Sequence, residues 1–244
     1  MNTNSNVYTI VYTTVICVLV AAILAVVSQT LKPQQEANDK AETISQILTA
    51  GQFGTKEELT KQGNNAIIEL FKNELDKAIV INAEGKEVRE LNISKAEVYS
   101  TSDLKAQDYK IADGTFEIPV YRFKNGVSVL AVYGKGLWGP IWGYIAVDSS
   151  RTHLLGAYFD HASETPGLGG KIKDDPKFRA QFTGKELNLA SSHAFEIVKG
   201  GTPKGQSNAI DAISGATMTC KGLDAAINQW VGAYKQYIQS SEEE

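Results

Sequence analysis

The chain has 244 residues, with 24 basic and 28 acidic side chains and a formal net charge of −4. This composition is ordinary for a globular protein and excludes collagen-like repeats and small disulfide scaffolds. Because the sequence contains no basic stripe, we do not expect nucleic-acid binding. The length accommodates one sizeable domain, or one domain with an accessory helical region.

The first predicted element is a transmembrane helix at residues 7–31, after a short tail at residues 1–6. No Asp, Glu, Lys or Arg precedes Lys32. About 20 apolar residues cross a bilayer core, so this run is long enough to span it. A cleaved signal peptide has a basic start and a shorter apolar core, so we expect a retained membrane helix. The lysines that follow leave its orientation open, since long domains translocate largely regardless of such charges.

We expect Lys32-Pro33 to end the membrane helix and residues 32–110 to form a stalk with further helical or α+β structure. Within this region, apolar residues at helical spacing predict a stalk helix that stops at Gly51: Ile44, Ile47 and Leu48. A second helix is predicted at residues 64–77, with its apolar residues on one face.

The pattern then changes to strands. Residues 120–124 and 127–132 flank Asn125-Gly126 and predict a hairpin with a type I′ turn. Further strands are predicted at residues 141–147, 154–159 and 195–198.

The last predicted element is a helix at residues 219–238 with an apolar stripe: Leu223, Ile227, Trp230, Tyr234 and Ile238. Adjacent strands with separate helices predict an α+β fold, with a domain at residues 111–244 built on an antiparallel or mixed sheet and flanking helices.

Just before this helix, residues 211–219 read Asp-Ala-Ile-Ser-Gly-Ala-Thr-Met-Thr. Ser214 and Gly215 suit an N-cap turn, and a glycine allows a ligand to approach the backbone closely. The free N–H groups and the positive dipole end of a helix form an anion site. We therefore expect a phosphate beside Ala216 and Thr217, although a plain helix cap would show the same small residues.

The pattern Asp-x-x-Ser-Gly-Ala-Thr at residues 211–217 resembles the flavinylation motif of the FMN-binding domains in respiratory sodium-transport and electron-transport complexes. In that family an FMN transferase joins the phosphate of FMN to the threonine hydroxyl as a phosphoester. The resemblance implies that Thr217 is the attachment site and that Asp211 serves recognition by the transferase. It also implies cofactor contacts at Ser214, Gly215 and Ala216. Thr219 is a nearby hydroxyl and a weaker candidate.

A second segment, His-Ala-Ser-Glu-Thr-Pro-Gly-Leu-Gly-Gly at residues 161–170, is similar to the glycine-rich segment that precedes the flavin site in this family. Proline fixes one backbone angle and the glycines permit left-handed ones, so the loop has a defined shape. The resemblance implies cofactor contacts at Glu164, Thr165, Gly167, Leu168 and Gly169. Lys199 resembles a family position near the flavin, where a cation would stabilise negative charge on the reduced ring; a solvated lysine is the alternative.

The membrane helix and residues 132–144 narrow the resemblance to the C-subunit family of sodium-translocating NADH:quinone reductases. This implies an electron carrier that acts with other subunits between NADH and quinone, coupled to sodium transport. It also implies a bacterial inner-membrane location, a cytoplasmic N-terminus and a periplasmic FMN domain. No zinc or iron–sulfur ligand spacing is present, so no metal site is predicted.

Two alternatives remain. One is the related G subunit of the Rnf electron-transport complex, which carries the same flavin motif. The other is a non-redox, membrane-anchored ligand-binding protein whose Ser-Gly-Ala-Thr turn never receives flavin.

Overall fold

A computed structural model describes residues 6–240 of the chain. The chain divides into two compact units at the boundary between Lys40 and Ala41. Most of the predicted N-terminal tail, residues 1–5, lies outside the described residues.

Helix α1, Asn6–Ala50, contains the predicted membrane span, and among the described helices only α1 is long and apolar enough to cross a membrane. Its apolar side chains are exposed; Ile23 and Leu24, for example, are each 62% exposed, which fits a helix in contact with lipid. Pro33 lies inside α1, so the helix does not stop at Lys32-Pro33 but continues from the predicted membrane span into the predicted stalk helix. Pro33 cannot donate to the carbonyl of Gln29, but this stretch is exposed and water can satisfy that carbonyl.

The second unit opens with the last turns of α1, which end just before Gly51 as predicted. Their apolar side chains belong to the hydrophobic core of this unit and are fully buried: Ile44, Ile47, Leu48 and Ala50. The predicted stalk helix is therefore partly a core element. It is followed by α2 (Lys56–Gln62), which the sequence pattern did not reveal, and α3 (Asn64–Glu74).

The helix predicted at residues 64–77 ends three residues early, because Leu75 already has extended backbone and begins strand β1 (Leu75–Ile81). Leu75 continues the apolar face of α3 at helical spacing, so local periodicity could not separate the two elements. In the fold, β1 lies between β2 (Glu87–Glu90) and β3 (Ile118–Phe123) and pairs with both. Tertiary pairing overrides the local helical pattern here.

Six antiparallel strands form the main sheet, in the order β2-β1-β3-β4-β5-β6. The remaining members are β4 (Ser128–Lys135), β5 (Pro140–Val147) and β6 (Leu154–His161). A separate parallel pair consists of β7 (Glu196–Val198) and β8 (Ala209–Asp211). The other helices are α4 (Thr101–Ile111), α5 (Lys171–Asp174), α6 (Pro176–Ala180) and α7 (Thr217–Gln239).

The β3–β4 hairpin is present, but its predicted type I′ turn is wrong. Phe123 N donates to Val127 O at 2.8 Å, and Gly126 N donates to Phe123 O at 3.0 Å, which leaves a three-residue loop. A type I′ turn needs positive φ at two successive residues, whereas here Gly126 has φ +85° and Asn125 does not have positive φ. The single left-handed glycine is typical of the three-residue hairpin loop.

Helix α7 packs on the sheet, and every residue of its predicted apolar stripe is buried. The hydroxyl of Tyr234 donates to Pro119 O at 2.7 Å and accepts from Ala131 N at 3.2 Å, which ties α7 to β3 and β4. A sheet with separate flanking helices confirms the predicted α+β fold.

Candidate functional site

The motif at residues 211–217 forms the connection from β8 to α7. Gly215 has φ +81°, Ala216 N donates to Ile213 O at 3.1 Å, and the helix begins at Thr217, two residues earlier than predicted. Ser214 and Gly215 lie in the turn, as expected, but the N-cap residue is Ala216. Alanine has no side-chain oxygen with which to cap a helix, so the prediction that Ser214 and Gly215 cap α7 is wrong.

As a result, the first turn of α7 has free donors. No side chain caps the helix, and the N–H groups of Thr217, Met218 and Thr219 have no acceptor within residues 6–240. A helix N-terminus carries about half a positive elementary charge on such groups. This end of a long helix therefore suits an anion.

The two hydroxyls of this turn have different environments. Thr219 is 1% exposed, and its Oγ1 donates to Glu164 Oε2 at 2.6 Å. Thr217 is partly exposed, and its hydroxyl forms no hydrogen bond to any residue from 6 to 240. Of these two hydroxyls, Thr217 is therefore the one available for modification.

The loop at residues 161–170 lies against this turn. Glu164 is 4% exposed, and its second oxygen, Oε1, accepts from Trp138 N at 2.8 Å. Glycines allow this close approach, because a Cβ at Gly136 or Gly169 would overlap the Glu164 carboxylate. Glu164 was predicted to contact the cofactor; in the structure both of its oxygens are bonded to protein.

Leu168 connects the loop to the motif from the other side. A Cβ on Gly215 would lie 2.9 Å from Leu168 Cδ2, so the two segments touch. Thr165 and Gly167 are exposed at the tip, and Thr165 O accepts from Leu168 N at 3.1 Å. Only Gly167 in this loop has positive φ, at +75°. Gly169 instead lets the backbone lie close to the side chains of Glu164 and Thr219.

Exposed large apolar side chains surround the site, although such side chains are usually buried. Leu168 is 43% exposed and Met218 is 56% exposed, on the two segments that meet. Leu137 is 49% and Trp138 is 66% exposed, on the turn whose backbone binds Glu164. Together with free N–H donors, these side chains fit a ligand that combines a phosphate with a flat, largely apolar ring system.

Lys199 and Asp211 lie at the start of the motif rather than at Thr217. Parallel pairing of β7 with β8 sets Val198 opposite Asp211, so Lys199 follows directly after this pair. Lys199 is exposed and forms no ion pair with a described residue. Asp211 Oδ1 accepts from the N–H and the hydroxyl of Thr202, both at 2.6 Å, and these bonds lower the pKa of Asp211.

Sequence reasoning missed the residues that hold the loop in place. Asp160 is 4% exposed; it forms an ion pair with Lys173 at 2.8 Å and accepts from Gln46 Nε2 at 3.0 Å and from His161 N at 2.7 Å. Asp160 precedes the loop in the chain and Lys173 follows it, so their ion pair joins the two ends of the loop. The only local signal was an aspartate directly after the strand predicted at residues 154–159.

Among the described residues, no group of three or more His, Cys, Asp or Glu side chains could hold a metal ion. Cys220 is buried; burial raises the pKa of its thiol, and its Sγ accepts from Ile213 N at 3.3 Å.

Residues 136–232 match the family model described as the FMN-binding domain. The chain is similar to the C subunit of the Na(+)-translocating NADH-quinone reductase of Vibrio vulnificus (strain YJ016), with 40% identity over 119 residues, 46% of this chain and 46% of that one. Its counterpart from Yersinia pestis is 41% identical over 106 residues, 43% of this chain and 39% of that one. The match thus spans about half the length of these curated relatives.

Two solved structures extend the similarity over most of the chain. The C subunit of the Na(+)-translocating NADH-quinone reductase from Parabacteroides distasonis ATCC 8503 superposes with a TM-score of 0.67 and 28% identity, over 85% of this chain and 96% of that chain. The Shewanella oneidensis NqrC gives a TM-score of 0.67 and 27% identity, over 85% and 100% respectively. These comparisons confirm the predicted resemblance to the C-subunit family and the predicted FMN-binding domain.

Proposed function

We propose that this chain, which carries an FMN-binding domain, is the C-type electron-transfer subunit of a sodium-translocating NADH:quinone reductase, with FMN bound covalently to Thr217. The observation that supports this most strongly is the accessible Thr217 hydroxyl at the uncapped N-terminus of α7, beside the loop at residues 161–170. The curated relatives named above carry that subunit name, and the two solved structures of C subunits are similar to this chain in fold.

Attachment requires a phosphoester between Thr217 and the flavin phosphate. Direct condensation of FMN with a hydroxyl would release water and is unfavourable in water. An activated flavin phosphate with a leaving group is therefore required, and a flavin dinucleotide presented by an FMN transferase would meet this requirement. The Thr217 oxygen would form the new bond to the flavin-side phosphorus of such a donor, nucleoside monophosphate would be the leaving group, and the hydroxyl proton would pass to a base or to solvent. No net oxidation or reduction occurs.

The bound flavin would supply one- and two-electron redox chemistry, and the protein would bind, orient and tune it. Free N–H groups at the start of α7 would hold the phosphate, and Gly215 would let it approach the backbone of Ser214 and Ala216. Leu168 and the exposed residues Thr165 and Gly167 of its loop would bound the ring, with the buried Gly169 beneath them. Lys199 would stabilise negative charge on the reduced ring from the end of β7. Asp211 would present the motif to the transferase.

The remaining features of the proposal concern the complex. Electrons would reach this subunit from NADH through other subunits and continue toward quinone, coupled to sodium transport. Residues 7–31 would anchor the chain in the bacterial inner membrane, with residues 32–110 linking this anchor to an FMN domain at residues 111–244 on the periplasmic side. The N-terminus would be cytoplasmic. The apolar helix α1 supports the membrane anchor.

The test is the intact mass of the full chain after co-expression with an FMN transferase, followed by peptide mapping. We expect an FMN-sized addition on the peptide that contains Thr217. Thr217→Ala should carry no covalent flavin, whereas Thr217→Ser should retain it because the hydroxyl is preserved. An unmodified wild-type chain, when a control substrate is modified in the same cells, would refute the proposal.

Two alternatives are separated by further observations. Purification with Rnf subunits rather than with NADH:quinone reductase subunits would identify the G-type subunit, with the same cofactor. A chain that binds a ligand at α7 but shows no flavin absorbance would be a non-redox, membrane-anchored binding protein.

A further inference from the structure

The first turn of α7 is secured by a side chain that is distant in sequence. The helix lacks a side-chain N-cap, and its N-cap residue is Ala216. Thr219, in the third helical position, instead donates to Glu164 at 2.6 Å. A capping residue normally bonds a backbone N–H of the first turn. Here the bond to Glu164 is made by the hydroxyl of Thr219 and not by a backbone N–H, so the backbone N–H groups of the first turn remain free for a ligand.

Glu164 joins three segments at this point. One oxygen binds the turn between β4 and β5 through Trp138 N at 2.8 Å, and the other binds α7 through Thr219. The glutamate itself belongs to the loop at residues 161–170. Gly136 and Gly169 both lack the Cβ that would collide with its carboxylate. The loop, the turn between β4 and β5, and the first turn of α7 thus all contact the Glu164 side chain.

A buried carboxylate needs compensation, and the α7 N-terminus contributes part of it. No Lys, Arg or His among residues 6–240 forms an ion pair with Glu164. Its compensation consists of one backbone N–H, one hydroxyl and the positive end of the α7 dipole, which favours a nearby anion. Removing the carboxylate would take the acceptor from the partly buried Trp138 N–H and from the buried Thr219 hydroxyl.

The backbone of the loop does not depend on this carboxylate. Glu164 N donates to His161 Nδ1 at 3.1 Å, and Ser163 Oγ donates to Trp138 O at 3.0 Å. The ion pair of Asp160 with Lys173 closes the base of the loop independently. Substitution of the Glu164 side chain should therefore loosen its attachment to α7 while leaving the loop and the sheet folded.

We propose that Glu164 is a positioning residue for flavin attachment: through Thr219 it holds the first turn of α7, and so places the Thr217 hydroxyl and the free N–H groups. This inference rests on the proposed function of Thr217. The carboxylate does not touch the attached group in this scheme; it acts through the helix turn that carries the acceptor.

The test compares matched pairs of full-length variants: Glu164→Ala with Glu164→Gln, and Thr219→Val with Thr219→Ser. Misplacement of a reacting group by about 1 Å can lower a rate by on the order of 100-fold. We therefore expect the initial rate of flavin attachment to fall about tenfold or more in Glu164→Ala and Thr219→Val. Serine keeps the hydroxyl, and glutamine can accept from Trp138 N–H and donate to Thr219, so these two variants should remain within about threefold of the wild type.

A double variant shows whether the two residues act through one bond. Combining Glu164→Ala with Thr219→Val should lower the rate no further than either single substitution, because both remove the same contact. A multiplicative loss would overturn the proposal, and so would a wild-type rate in Thr219→Val. A Glu164→Gln rate as low as that of Glu164→Ala would assign the effect to charge and overturn the positioning role.

Hydrogen exchange provides a readout that does not require flavin. The amide of Cys220, which donates to Ala216 O at 2.9 Å, makes the first hydrogen bond of α7. It should exchange at least about tenfold faster in Glu164→Ala and Thr219→Val but not in Thr219→Ser, with unchanged near-ultraviolet dichroism. If the wild type is never flavinylated, the proposed function fails, yet this exchange comparison still decides whether Glu164 holds the turn.

Discussion

Two glycines of α7 form a matched pair for testing how closely the helix approaches the flavin-site turn. A Cβ at Gly222 would overlap Lys135 O, far inside the 3.0 Å that real Cβ atoms keep from their neighbours, and would lie 3.3 Å from Gly136 Cα. A Cβ at Gly232 would meet nothing within 4 Å. Both glycines lie inside the same helix, so Gly222→Ala and Gly232→Ala differ in packing alone.

The magnitudes follow from two opposing effects. Alanine stabilises an exposed helix interior by about 1 kcal/mol relative to glycine, so Gly232→Ala should raise the free energy of unfolding by that amount. Gly222→Ala gains the same propensity but forces the helix away from β4, and overpacking costs about 1–3 kcal/mol. The two variants should therefore differ by about 1–3 kcal/mol, or roughly 2–12 °C in Tm for a domain of roughly 150–250 residues.

Thermal and urea unfolding of the full chain in detergent, followed by tryptophan fluorescence, measures this difference, since Trp230 is fully buried in α7. Gly222→Ala should also slow flavin attachment, because Lys135 and Gly136 lead into the turn that binds Glu164. Equal melting temperatures for the two variants would refute the close approach of α7 to the end of β4.

Three further predictions concern separate regions. Tyr234→Phe removes the hydroxyl that bonds Pro119 O and Ala131 N and should destabilise the domain by about 1–3 kcal/mol in the same unfolding assay. Lys199→Met removes an exposed positive charge and should lower the flavin reduction potential by about 10–20 mV in spectroelectrochemistry, the equivalent of about 0.5–1 kcal/mol for two electrons; an unchanged potential would assign Lys199 to solvent. Hydrogen bonds from Thr202 lower the pKa of Asp211 below 3.8, so this contact should persist above pH 3.8 and be lost as the pH falls through the lowered pKa. The NMR shift of the Thr202 amide should show that midpoint, and Asp211→Asn should abolish it.

The elements that the sequence predicted well are those whose signal lies within one segment. The α7 stripe repeats at helical spacing, and all of its members are buried. The strands at residues 141–147 and 154–159 lie within β5 and β6. The apolar run at residues 7–31 lies within α1. In each case, the local pattern of side chains is sufficient to indicate the secondary structure.

The errors arise where distant pairing competes with a local preference. Leu75 fits the apolar face of α3, but its pairing with Phe123 of β3, which is distant in the chain, makes it a strand residue. Asn125-Gly126 favours a type I′ turn, but the hydrogen bond from Phe123 N to Val127 O leaves three residues in the loop.

The sequence by itself determined the apolar membrane helix, the α+β pattern of the domain and the presence of two hydroxyls at the start of α7. These properties depend on hydropathy, periodicity and motif spacing, which are local. Only the tertiary structure decided which hydroxyl is available, because Glu164 binds Thr219 across 55 residues of sequence and leaves Thr217 unbonded within the described chain. The pairing of a carboxylate with a distant hydroxyl depends on the packing of the sheet, the loop and α7 together, and no single segment encodes it.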